Sequence, residues 1–173
     1  AAAYPERVLT WTAMSVPHLD AFASAIRDDP AQHKASAYMR AFQWPLIPEM
    51  FLKSRDYRGL RSVWNQSSLE EVEAYLSVFS QSGAVTSALN WYRANYRSLT
   101  KSENILPKVS VPTLFIWGEK DSAILRSGVK LNSHYITGDY SEHYIDAGHW
   151  LIQEAFSEVS VLILEQLRRR WPP

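Results

Sequence analysis

The chain has no cysteine, no net charge and no long apolar run, and each absence removes a class of function. Without cysteine there is no disulfide, no thiol nucleophile and no thiolate metal site, which suits a reducing compartment. Eighteen basic residues balance eighteen acidic ones. No net field therefore draws nucleic acid or an anionic membrane surface. Nothing approaches the roughly 20 apolar residues of a spanning helix, and no signal-peptide pattern is present. The expectation is a soluble, cytoplasmic protein without a nucleic-acid or membrane partner. Aromatic residues, by contrast, are plentiful: seven Trp, nine Tyr and six Phe, enough to line a large apolar pocket or interface as well as a core. At 173 residues the chain accommodates one core-bearing domain, or one unit with a substantial insertion.

Its organisation changes twice. The opening "AAAYPERV" reads as the end of a helix interrupted by Pro5, and Val8 to Met14, "VLTWTAM", as a short buried strand stopped by "SVPH". From there to about Leu106 the periodicity is helical with proline punctuation: "PHLDAFASAIRDD", "PAQHKASAYMRAFQ", "PLIPEMFLKS", "SSLEEVEAYLSVFS" and "SGAVTSALNWYRANYRSL". Ser68 stands three residues before Glu71, which predicts a capping box. After the polar linker "TKSEN", the apolar "VPTLFIWGEKD" predicts a second strand, about Tyr140 to Asp146 a third, and "FSEVSVLILEQLRRR" a closing helix with its arginines in the last turn. No internal repeat or low-complexity segment interrupts this order.

In an α/β sheet, functional groups gather just beyond the carboxyl ends of the strands. Asp121 and His149 both follow predicted strand ends, 28 residues apart, room for a crossover helix between parallel neighbours. An acid and a base so placed form the orienter and base half of a nucleophilic triad. Asp121 also has a plainer reading as a cap on the turn after "GEKDSA", and the two roles are compatible. His18, His33, His134 and His143 have no acid or glycine turn placed like the one before His149 and read as surface or structural residues; no cluster suggests a metal site.

The strand end "WGEKD" and the loop "DAGHW" together resemble the α/β-hydrolase fold, and two stretches of the helical insertion make the resemblance narrower. "YMRAFQWPLIPE" and "ALNWYRANY" are similar to the two cap motifs of the epoxide hydrolases. The resemblance covers essentially the whole chain. It implies a partial α/β-hydrolase fold of about three parallel strands with flanking helices: residues 1–16 start the core, 17–107 form an all-helical cap, and 108–173 complete the carboxyl-terminal part of the core. It also implies that His149 and Asp121 are base and acid, that Tyr38 and Tyr92 are the ring-opening phenols, and that Trp150, Phe42 and Trp91 line a pocket for a small apolar epoxide. No cofactor or metal is implied. A phenol of pKa about 10 donates to a developing alkoxide while staying protonated at neutral pH. An esterase would use backbone amides for this purpose, and a dehalogenase indoles such as Trp44, Trp64, Trp91 or Trp150, so both alternatives stay open.

Two departures accompany the match. Phe156 replaces the proline usual after the histidine loop, and nothing like "GHDWGG" or G-x-S-x-G, the nucleophile turn, occurs in residues 1–173. The reading is then of a carboxyl-terminal half whose first strand would show an apolar edge. Another segment or self-association is expected to cover that edge, and the chain alone is expected to turn over no epoxide. A non-catalytic remnant or interaction module is the alternative from outside enzymology.

Overall fold

The structure, a computed structural model, describes residues 1–101 and 106–170. Ser102 to Asn104 of the predicted linker therefore lie outside the described residues. The chain divides into two compact units, Ala1–Ser36 with Ser98–Pro173, and Ala37–Arg97.

The first unit is built on a three-stranded parallel sheet in the order β1 (Trp11–Met14), β2 (Thr113–Gly118), β3 (Tyr140–Ile145). Strand β2 is buried at every position, which is why its sequence, TLFIWG, is apolar without alternation: a central parallel strand is covered on both faces. Strand β3 lies at an edge and accordingly carries exposed Glu142 and Tyr144. The first strand is shorter than its apolar run suggests. Pro5 starts a 3₁₀ turn over Pro5–Arg7. Opposite Thr10 and Trp11, the Pro112 carbonyl accepts from Trp11 N–H (2.9 Å) and the Thr10 hydroxyl (3.2 Å). Proline has no N–H to return, so the ladder begins only there.

Helices α1 (Leu19–Asp28) and α2 (Pro30–Ala35) follow β1, α7 (Arg126–Leu131) lies between β2 and β3, and α8 (Leu151–Glu154) and α9 (Phe156–Arg170) close the unit. Leu114 and Ile116 of β2 join Ile145, Ala147, Leu151 and Val159 in one buried cluster, with Leu162 and Ile163 of α9 packed against it. Each fully buried Leu, Ile or Val side chain of this cluster contributes about 1.5–3 kcal/mol by leaving water. The helix after the histidine loop breaks at Ala155 (φ −142°, ψ 42°) although no proline follows, so Phe156 leaves the break intact.

The second unit is helical: α3 (Ala37–Ala41), α4 (Ile47–Val63), α5 (Leu69–Phe79) and most of α6 (Ala84–Lys101). Helical geometry in α4 lapses at Ser54, and Arg55, Asp56 and Tyr57 have positive φ. Arg61 holds that turn through the Asp56 carbonyl (2.9 Å) and carboxylate (3.0 Å). Helix α5 opens on the Ser68–Glu71 capping box, with both reciprocal bonds formed. Among the described residues no helix is long and apolar enough to cross a membrane.

Candidate active site

The acid and the base are brought together by a glycine. A Cβ on Gly118, the last residue of β2, would lie 2.2 Å from the Gly148 carbonyl oxygen and 2.3 Å from that of Ala147. Only a residue without a side chain lets the two strand ends approach this closely. Glu119 N–H then donates to the Ile145 carbonyl and Lys120 N–H to that of Ala147, both at 2.9 Å. These bonds extend the pairing of β2 with β3 and carry Asp121 to His149.

There the Asp121 carboxylate, its side chain wholly buried, sits 2.7 Å from His149 Nδ1 through Oδ2. Its other oxygen accepts from the Ala123 and Ile124 N–H groups at 2.8 and 2.9 Å. Asp121 thus caps a loop turn, and α7 starts only at Arg126. An acceptor-only carboxylate at Nδ1 requires that nitrogen to carry the proton, which leaves Nε2 of the neutral ring as a base. The His149 side chain is 27% exposed, and its ring stands edge-on to Trp150 at 5.2 Å between centroids.

The second unit gathers the predicted tyrosines. Tyr38 on α3 and Tyr92 on α6 meet edge-to-face with centroids 5.8 Å apart, and Phe42 contacts both, at 5.5 and 5.1 Å. Trp91 stands edge-on to Tyr92 at 5.1 Å and is 55% exposed. Burial pushes the Tyr92 phenol above its ordinary pKa, partly offset by a hydrogen bond with the Tyr38 side chain. Such a phenol remains a donor at neutral pH.

No family model matches the chain. Curated relatives do. Epoxide hydrolase 3 of Xenopus tropicalis is 34% identical over 90% of this chain and 45% of its own length. The AB hydrolase superfamily protein YfhM of Bacillus subtilis is 30% identical over 98% of this chain and 61% of its own length. Among solved structures, an epoxide hydrolase of Bacillus megaterium in complex with an inhibitor superposes with a TM-score of 0.85 at 25% identity, over 96% of this chain and 63% of that one. This chain has a partial α/β-hydrolase fold similar to that of epoxide hydrolases. The chain spans about half the length of these curated relatives.

The packing of this α/β-hydrolase-fold chain shows residues that sequence reasoning passed over. Gln32 of α2, fully buried, donates to the Ala123 carbonyl (2.8 Å) and accepts from Leu125 N–H (2.7 Å). The Trp117 indole donates to the Ile124 carbonyl at 3.0 Å. With Asp121 they engage the N–H groups of Ala123, Ile124 and Leu125 and the carbonyls of Ala123 and Ile124, which restrains the acid loop. A buried glutamine on a short helix carries no sequence signal for this role. His18 is structural: it is buried, its Nδ1 accepts from Asp20 N–H at 3.2 Å, and its ring stacks on Tyr135 at 4.8 Å.

In the second unit Arg93, next to Tyr92, makes a forked pair with buried Glu49 at 2.8 and 3.1 Å. It also donates to the Phe42 and Trp44 carbonyls at 3.0 and 2.9 Å. A guanidinium fork is suited to such multiple, planar recognition, and here it fixes α6 against the segment that follows Tyr38. The Arg93 hydrogen bond holds Glu49 below the ordinary carboxylate range. A carboxylate with a lowered folded pKa contributes stability that is present above its unfolded value and lost as pH falls through the folded one. We expect Glu49→Gln to lower stability at pH 7 by on the order of 1 kcal/mol, discounted for the partial exposure of Arg93, and the gap from the parent to close as pH is lowered below about 4. Denaturant melts at pH 7 and pH 3.5 measure this; a gap independent of pH would assign the loss to packing.

Proposed function

We propose that this chain supplies the acid, the base and the proton donors of an epoxide hydrolase-like α/β-hydrolase that opens epoxides to diols with water. The supporting observation is the meeting of two phenols, Tyr38 and Tyr92, a residue type that is protonated at neutral pH, with the Tyr92 pKa raised further by burial. Phenols so placed suit an alkoxide that develops on ring opening better than a carbonyl oxyanion.

In this reading the helices between β1 and β2 act as a cap, and a carboxylate from sequence outside residues 1–173 attacks one epoxide carbon. The carbon–oxygen bond breaks, and the leaving oxygen takes its proton from Tyr38 or Tyr92 while the second phenol stabilises it by hydrogen bonding. The result is an ester of the attacking carboxylate. His149 Nε2 then accepts a proton from water as the oxygen attacks the ester carbonyl, and Asp121 stabilises the imidazolium that forms. Collapse of the tetrahedral adduct breaks the acyl–oxygen bond, the diol leaves with a proton from the imidazolium, and the carboxylic acid left behind ionises, its proton balancing the one that the phenolate takes back from solvent. In the same reading the substrate is a small apolar epoxide, and Trp150, Phe42 and Trp91 are its candidate apolar contacts. A further segment of polypeptide, or a second copy of the chain, covers the outer edge of β1.

The experiment is a substrate panel with the complete protein: an aryl epoxide, a haloalkane and a nitrophenyl ester, with residues 1–173 alone as control. Diol formation from the epoxide, absent in the control, is the expected result. Halide or nitrophenol release without diol would place the protein among dehalogenases or esterases, and inertness toward all three would leave an interaction module.

A further inference from the structure

We propose that Ser15, the residue just after β1, is a positioning residue for His149, acting with Glu154. The Ser15 hydroxyl donates to the His149 carbonyl at 2.7 Å. The Glu154 carboxylate accepts from the N–H groups on either side of that histidine, Gly148 at 2.6 Å and Trp150 at 3.2 Å. The peptide that follows His149 is therefore held at both its carbonyl and its N–H, the peptide that precedes Gly148 is held at its N–H, and the ring is held separately by Asp121. With Ser15 after β1, Asp121 after β2 and His149 after β3, all three strand ends converge on one histidine, Ser15 at its carbonyl and Asp121 at its ring.

Backbone geometry gives an independent reason to assign this role to the hydroxyl. Ser15 has φ of 60° and sits at the centre of a tight turn closed by Val16 N–H on the Met14 carbonyl at 2.6 Å. At positive φ glycine is the unstrained residue. A position that needed only the turn would be best filled by glycine, whereas serine adds the one atom that reaches His149. Ser15 is itself buried, and its own N–H donates to the Ile116 carbonyl of β2 at 2.9 Å. The hydroxyl is thus mounted on the sheet and not on a mobile loop. A base held this way keeps Nε2 aimed at one point, and small errors of aim are costly in proton transfer.

The catalytic consequence rests on the function proposed above, but the clamp does not, and the test separates them. In the complete protein with ¹⁵N-labelled histidine, the Nδ1 proton of His149 is followed for its exchange lifetime with solvent. Ser15→Gly removes the hydroxyl while relieving the backbone. It is expected to fold at least as well as the parent yet to shorten that lifetime at least tenfold and, on an epoxide, to lower kcat about tenfold with KM unchanged. Ser15→Ala should do the same, and if it fails to fold the glycine variant decides. A parental lifetime in Ser15→Gly overturns the clamp. A shortened lifetime in a protein that never turns over epoxide upholds the clamp and overturns the proposed function.

Discussion

Replacing His149 by glutamine in the complete protein is expected to trap it as a covalent ester. In the proposed mechanism two chemical steps are divided between two groups of residues, and His149 belongs to the second. Its Nδ1 is tied to Asp121 at 2.7 Å, so the only nitrogen available to accept a proton from water is Nε2, and glutamine offers no base at that position. Ring opening needs the attacking carboxylate and a proton donor, neither of which is His149. One equivalent of epoxide should therefore be consumed rapidly and retained as an added mass on the protein, while steady turnover falls by about 10³ or more. Intact-protein mass spectrometry after mixing with a small excess of substrate reads both quantities. Loss of turnover without any adduct would mean that His149 serves the first step and that the division of labour is wrong.

The tyrosine pair should behave in the opposite way. Tyr38→Phe with Tyr92→Phe is expected to abolish the burst itself, because without a donor the leaving oxygen must depart as a bare alkoxide in an apolar surrounding. Each single substitution should cost about 10² in the rate of ester formation, since the remaining phenol can still donate. The double change should cost about 10⁴ or more, at least the product of the single effects, because each single variant keeps one donor for the leaving oxygen and the double variant keeps none. Phenylalanine preserves the edge-to-face contacts among Tyr38, Phe42 and Tyr92, so stability should move little. Rapid-quench measurement of ester formation checks the prediction. A double variant that still forms the ester at the parental rate would remove the phenols from the chemistry and return the protein to the esterase or dehalogenase readings.

How much of this was visible in the amino-acid sequence depended on how local the physics is. The strand-terminating "WGEKD" and "DAGHW" could be read because a buried parallel strand must be apolar on both faces and must end where a polar turn begins. The capping box at Ser68 could be read because it is completed within four residues. The three strands, the crossover between β2 and β3 and the pairing of Asp121 with His149 follow from such signals taken in order. The first strand was overestimated by three residues, Val8 to Thr10, because its true start depends on Pro112, about a hundred positions away. Apolar content alone does not report that a partner lacks an N–H.

By itself, then, the sequence determined which residue types stand at strand ends and which helices carry the paired tyrosines, since periodicity and turn chemistry act over a few residues. Tertiary structure alone decided how those residues are held. Ser15 and His149 are 134 positions apart, Gln32 and Leu125 93, and Arg93 and Glu49 44. No short-range rule couples such positions. Each contact instead arises where folding has buried a polar group whose hydrogen bonds had to be met by whatever side chain the packing brought beside it.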